Sequence, residues 1–163
     1  MSEQHYWCRV ECDARLVSRK LARRKRMGYA VSGHGEAYCA ESDGYFPVIV
    51  LVAQIIAPSR ELALSHLIRD CPGGVITFCQ PTDPVPPSGR FEGLLPFQAS
   101  APLASPELLA RAEQQMAQIE AHSTAHKRQM RINERNGRTD DAAFAQIDQE
   151  HPWPRPLPAY RIP

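Results

Sequence analysis

The chain has 163 residues, 43% of them hydrophobic and 23% charged, and its net charge is +1. That length fits one domain, or one small domain with an appendage, and the apolar share is enough for one core. Near-neutrality argues against a general nucleic-acid binder, and the strongest apolar run, Phe46 to Pro58, is too short to cross a bilayer and is broken by Gln54.

The opening "MSEQHYWCRVEC" has an acid near its start and no long apolar stretch, so no secretory leader is expected. The expectation is a soluble, cytoplasmic protein with no membrane partner. Five cysteines without a CxxC pair read as ordinary buried thiols in such a compartment.

Residues 5–13 alternate, with Tyr6, Cys8, Val10 and Cys12 on one face and Trp7, Arg9 and Glu11 on the other, which predicts a strand with one buried face. Asp13 then offers a helix N-cap to "ARLVSRKLARRKRM", and Gly28 is a natural residue to end that helix. Residues 29–41, "YAVSGHGEAYCAE", predict a weaker strand, and "SDG" at 42–44 a tight turn. The strand that follows, 45–56, is apolar on both faces and should be central and covered on both sides. Ser59 caps a helix through Asp70, with Leu64, Leu67 and Ile68 on its buried stripe, and "VITFCQ" at 75–80 is a last short strand.

Strand, helix, strand, strand, helix, strand is the split βαβ order of ferredoxin-like folds, in which the first and third strands are central. The fold class expected is therefore α+β: a ferredoxin-like βαββαβ domain over residues 5–80, a proline-rich linker over 81–104, a helical arm over 105–150 and a proline-rich tail over 151–163. Twelve of the fifteen prolines fall between Pro81 and Pro106 or between Pro152 and Pro163, where regular structure cannot continue. Ser105, Pro106 and Glu107 start the arm helix, which runs to about Asn136. Its apolar stripe is clear at Leu109, Ala112, Met116 and Ile119 and weak at Ser123, His126 and Met130. Thr139 is placed to cap a short helix ending near Glu150.

The chemistry is concentrated in charge. Between Arg15 and Arg26 stand seven cations and no acid, while the rest of the chain, with twelve basic and eighteen acidic residues, carries −6. Arg15, Arg19, Arg23 and Arg26 share one helix face, with Lys20 and Arg24 beside them. Such a face suits a phosphate backbone or an acidic protein groove, and like charges at i,i+4 weaken a helix that has neither. These six residues are the expected partner- or phosphate-binding set. Trp7 and Arg9 stand on the sheet face that stacks bases in RNA-binding modules of this topology, but no matching aromatic string accompanies them, and cover by the chain's own C-terminal half or a second subunit is the preferred reading.

Other motifs are thinner. His122 and His126 stand at i,i+4 in "HSTAH", a spacing that lets two imidazoles meet one metal, but no Glu lies between them and two further ligands are needed, so no metal is expected. His34 and Cys39 fall on opposite faces of a regular strand, which argues against a nucleophilic pair. The tail residues Trp153, Leu157 and Tyr160 are too apolar for free solvation and are expected to make contacts. No cofactor and no catalytic residue are expected. The sequence supports a non-enzymatic interaction protein that meets a protein partner or a second copy through the basic helix, arm and tail. A nucleic-acid-binding accessory protein is the alternative, and an inhibitor or minor structural subunit from a mobile element a further one.

Overall fold

A computed structural model describes residues 3–15, 28–39, 44–71, 73–84 and 89–154. The protein is a mixed α+β structure built on one sheet. Its strands are β1 (Gln4–Asp13), β2 (Tyr29–Cys39), β3 (Gly44–Ala57), β4 (Val75–Thr82) and β5 (Phe97–Gln98). Its helices among the described residues are α1 (Arg60–Asp70), α2 (Pro106–Asn136) and α3 (Asp141–Glu150), with one 3-10 turn at Gly89–Phe91.

The four longer strands are antiparallel in the order β2-β3-β1-β4, so the first and third hold the centre. Alternation in β1 has the predicted effect: Tyr6, Cys8, Val10 and Cys12 are buried, and Arg9 is exposed on the opposite face. β3 is the longest strand and the most apolar, and it pairs along its length with β1 and β2. Pro47 lies just beyond the Asp13–Val48 pair that ends the β1 ladder, so its missing N–H takes nothing from that pairing, and on the other side it stands opposite Glu36 of β2. The β2 ladder stops at the Tyr29–Ala53 pair, and β5 takes over that edge, running parallel to β3 at Ile55 and Ile56. The 81–104 segment is thus tied to the sheet, and Phe97 sets its ring against Tyr29 and His66, at centroid distances of 5.4 and 5.1 Å.

α1 and the first half of α2 cover the face made by Tyr6, Cys8, Val10, Leu51 and Ile55. Ser59 caps α1 by accepting from the Leu62 N–H, as its position in the sequence implies. The buried face of α1 holds Leu64 and Leu67, and also Ser65 and His66, two polar residues that the apolar stripe did not mark. Residues 100–104 give each a partner: the Ala104 N–H donates to Ser65 Oγ at 2.8 Å and the Ser100 N–H to His66 Nδ1 at 3.1 Å.

α2 shields the β4 edge of the sheet. The register of β1 and β4 shifts after Arg9, leaving Thr77 as the extra residue of a bulge, and its hydroxyl donates to the Arg9 carbonyl. The neighbouring Ile76 N–H donates to Gln115 Oε1 of α2 at 3.2 Å. α2 opens on the Ser105 cap and Pro106 and closes at Gly137, whose left-handed backbone (φ 64°) lets its N–H turn back to the Asn133 and Glu134 carbonyls. α3 is capped by Asp140 rather than Thr139, because the carboxylate accepts from the Ala143 N–H. It folds back on α2, with Phe144 against His126. No helix among the described residues is long and apolar enough to cross a membrane.

Candidate functional site

Of the basic set, Arg15 is described, and Arg19, Lys20, Arg23, Arg24 and Arg26 lie outside the described residues. Arg15 is engaged within the chain. Its guanidinium grips Asp13 with both Nε (3.0 Å) and Nη2 (2.7 Å) and sits over the Phe46 ring, while its backbone N–H is capped by the same carboxylate. The Asp13 carboxylate thus partly neutralises the first cation of the run, and the helix it is expected to cap lies outside the described residues. Gly28, just after the residues left undescribed, has φ 94°, a left-handed conformation that favours glycine. A Cβ there would stand 2.5 Å from the Phe97 ring.

Of the tail set, Leu157 and Tyr160 lie outside the described residues, and Trp153 is described. Trp153 returns to the sheet. With Trp7, Arg9 and Glu11 of β1, Phe78 of β4 and Ile119 of α2 it lines a groove of about 360 Å³. Burial pushes the Glu11 carboxyl above its ordinary range, against the opposing pull of Arg9 and of a hydrogen bond from the Trp153 side chain. Trp7 is half-buried and meets Phe91 at 5.8 Å. Phe91 thus takes up part of the Trp7 ring, and Trp153 lines the same groove.

Polar groups elsewhere are committed to structure. His66 is 2% exposed, with Nδ1 accepting from Ser100 and Nε2 lying 2.8 Å from Asp70 Oδ2. Burial alone would raise the Asp70 carboxyl, but hydrogen bonds from His66, Tyr29 and Arg69 outweigh it and hold the group at about 2. A histidine that works as a base needs a free ring nitrogen facing a nucleophile; here a backbone N–H takes that nitrogen, so the pair braces the linker against α1. Cys8 and Cys79 face each other across β1 and β4 with sulfurs 3.6 Å apart. The Cys79 contact and burial push the Cys8 thiol up, away from the thiolate that nucleophilic chemistry requires. His34 is exposed on β2, and the Cys39 side chain lies outside the described residues.

The remaining cluster is on the arm. His122 and His126 share a face of α2, their rings 4.3 Å apart, and α3 brings Asp148 to them. His126 Nε2 is 2.9 Å and His122 Nδ1 3.9 Å from Asp148 Oδ1. His122 Nδ1 also lies 2.7 Å from the His151 carbonyl, and Trp153 meets the His122 ring edge-on. Among the described residues these three side chains form a group able to hold a metal ion. The sequence offered the two histidines; it hid Asp148, which becomes a neighbour only because the short turn at Gly137 sends α3 back along α2. That turn, Asn136–Gly137, is the signal from which the pairing could have been inferred.

Comparisons with models of protein families, with curated proteins and with solved structures return no match.

Proposed function

We propose that the protein is a non-enzymatic, cytoplasmic interaction protein. Residues 5–80 form its scaffold, a ferredoxin-like βαββαβ unit, and the strand order β2-β3-β1-β4 supports that assignment. The linker 81–104 carries the chain to a helical arm, 105–150, and a tail, 151–163. The basic helix, 15–26, and the arm and tail meet a macromolecular partner.

The observation that carries this reading is the distal arm. Beyond Ile119 α2 has no buried residue, and α3 has none either. Met130 and Ile132 are 54% and 36% exposed there. A helical pair that leaves its domain with apolar side chains turned outward is suited to docking rather than to chemistry. A protein partner fits the charge better than a nucleic acid does, because the +7 of the basic segment is opposed by −6 elsewhere and Arg15 is paired with Asp13.

The second reading, a nucleic-acid accessory protein, rests on the six cations from Arg19 to Arg26 with no acid among them. A salt titration of DNA and RNA binding separates the two. Nucleic-acid binding would weaken steeply with salt and lose slope in a variant with Arg19, Arg23 and Arg26→Glu. The protein-partner reading expects no such binding in the wild type at physiological salt.

A further inference from the structure

We propose that His122, His126 and Asp148 bind a first-row transition-metal dication, Zn(II) foremost, and that the ion clamps α3 onto α2. Two imidazoles and a carboxylate are a borderline donor set, suited to Zn(II) and its neighbours and not to Mg(II) or Ca(II), which favour oxygen throughout. The three donor atoms already lie within 4.8 Å of one another. Around a tetrahedral ion held at about 2.0–2.2 Å, neighbouring donors stand roughly 3.3–3.6 Å apart. The observed separations of 2.9 Å (His126–Asp148) and 3.9 Å (His122–Asp148) bracket that value.

The surroundings support the site in three further ways. The His151 carbonyl, 2.7 Å from His122 Nδ1, can supply a fourth ligand, an oxygen, once that hydrogen bond opens to the spacing of two donors on one ion. Trp153 and Phe144 pack on the two imidazoles, at 5.4 and 5.1 Å, and limit their orientations as a supporting shell does. The donors are reachable, with side chains 19% (His122), 31% (His126) and 59% (Asp148) exposed. Any proton on the coordinating nitrogen of His122 or His126 leaves to solvent as the metal binds. The ion would add a fixed cross-link to a helix pair that otherwise shares little buried surface. This inference does not depend on the identity of any partner.

The test uses the full chain, stripped of metal and titrated with Zn(II) by calorimetry and with Co(II) by visible absorption. One ion per chain is expected, with the d–d bands of four-coordinate Co(II). Asp148→Asn and His126→Ala should each weaken binding by at least about a hundredfold, since even supporting-shell changes cost 10–100-fold. His34→Ala, on an exposed part of β2, should leave binding unchanged. Hydrogen exchange of the wild type locates the ion without any variant: Zn(II) should slow exchange in α3 and the facing part of α2. No saturable binding, binding that survives both arm variants, or zinc protection confined to other elements would overturn the proposal.

Discussion

Gln115→Met removes a buried side-chain amide whose Oε1 accepts from the Ile76 N–H. Gln115 is 4% exposed, and its Oε1 takes the Ile76 N–H at 3.2 Å, at the point where the bulge has shifted the ladder. Methionine matches its length, so packing of α2 against β4 is kept while one buried donor loses its partner. An orphaned buried N–H costs about 1–3 kcal/mol, and the more favourable burial of methionine offsets roughly 1 kcal/mol of that. The net loss expected is up to about 2 kcal/mol. For a chain of this size that is a fall in melting temperature of up to about 8 °C. Urea unfolding followed by tryptophan fluorescence measures the first figure, and amide exchange at Ile76 reports the local opening. An unchanged midpoint with unchanged Ile76 protection would refute the idea that α2 is fastened to the sheet edge by this bond.

Three further outcomes are expected. The Asp70 carboxyl is held at about 2, below its ordinary 3.8, so its contribution to stability is complete above about pH 4 and is lost as pH falls through 2. Asp70→Asn should therefore flatten the acid limb of the stability–pH curve by about 1–2 kcal/mol, read from unfolding at pH 6 and near pH 2.5. Cys8, Cys12, Cys71 and Cys79 are buried, so peptide mapping after brief iodoacetamide treatment should find them unlabelled in native protein and fully labelled in urea. Gly28→Ala places a Cβ 2.5 Å from the Phe97 ring at φ 94°, and should destabilise by at least about 1 kcal/mol in thermal unfolding.

The strands were legible because period-2 alternation in β1 and the two-sided apolar run of β3 leave little choice of position in a sheet. Helix ends were legible for a similar reason: Ser59, Ser105 and Gly137 satisfy or redirect backbone groups wherever they stand. What the sequence concealed depends on distant partners. Ser65, His66 and Gln115 are polar, so no apolar stripe marks them, yet each is buried because a backbone group from another element completes it. Asp148 looked like one acid among many until the turn at Gly137 placed it beside His126. Trp153 was readable as too apolar for solvent, but the surfaces that receive it and Phe97, the β1–β4 groove and the Tyr29–His66 pair, are defined only by the folded sheet.

The interaction reading makes its sharpest demand on the charge of residues 15–26 and on the tail. Tagged wild-type protein, an Arg19→Glu, Arg23→Glu, Arg26→Glu variant and a chain ended at His151 should be compared by quantitative capture from an extract of the native cell. Matched circular dichroism would establish that all three are folded. The expected result is one protein partner recovered by the wild type and reduced at least about tenfold, equivalent to some 1.4 kcal/mol of binding, in both variants. An identical set of captured proteins in all three samples would contradict the proposed function.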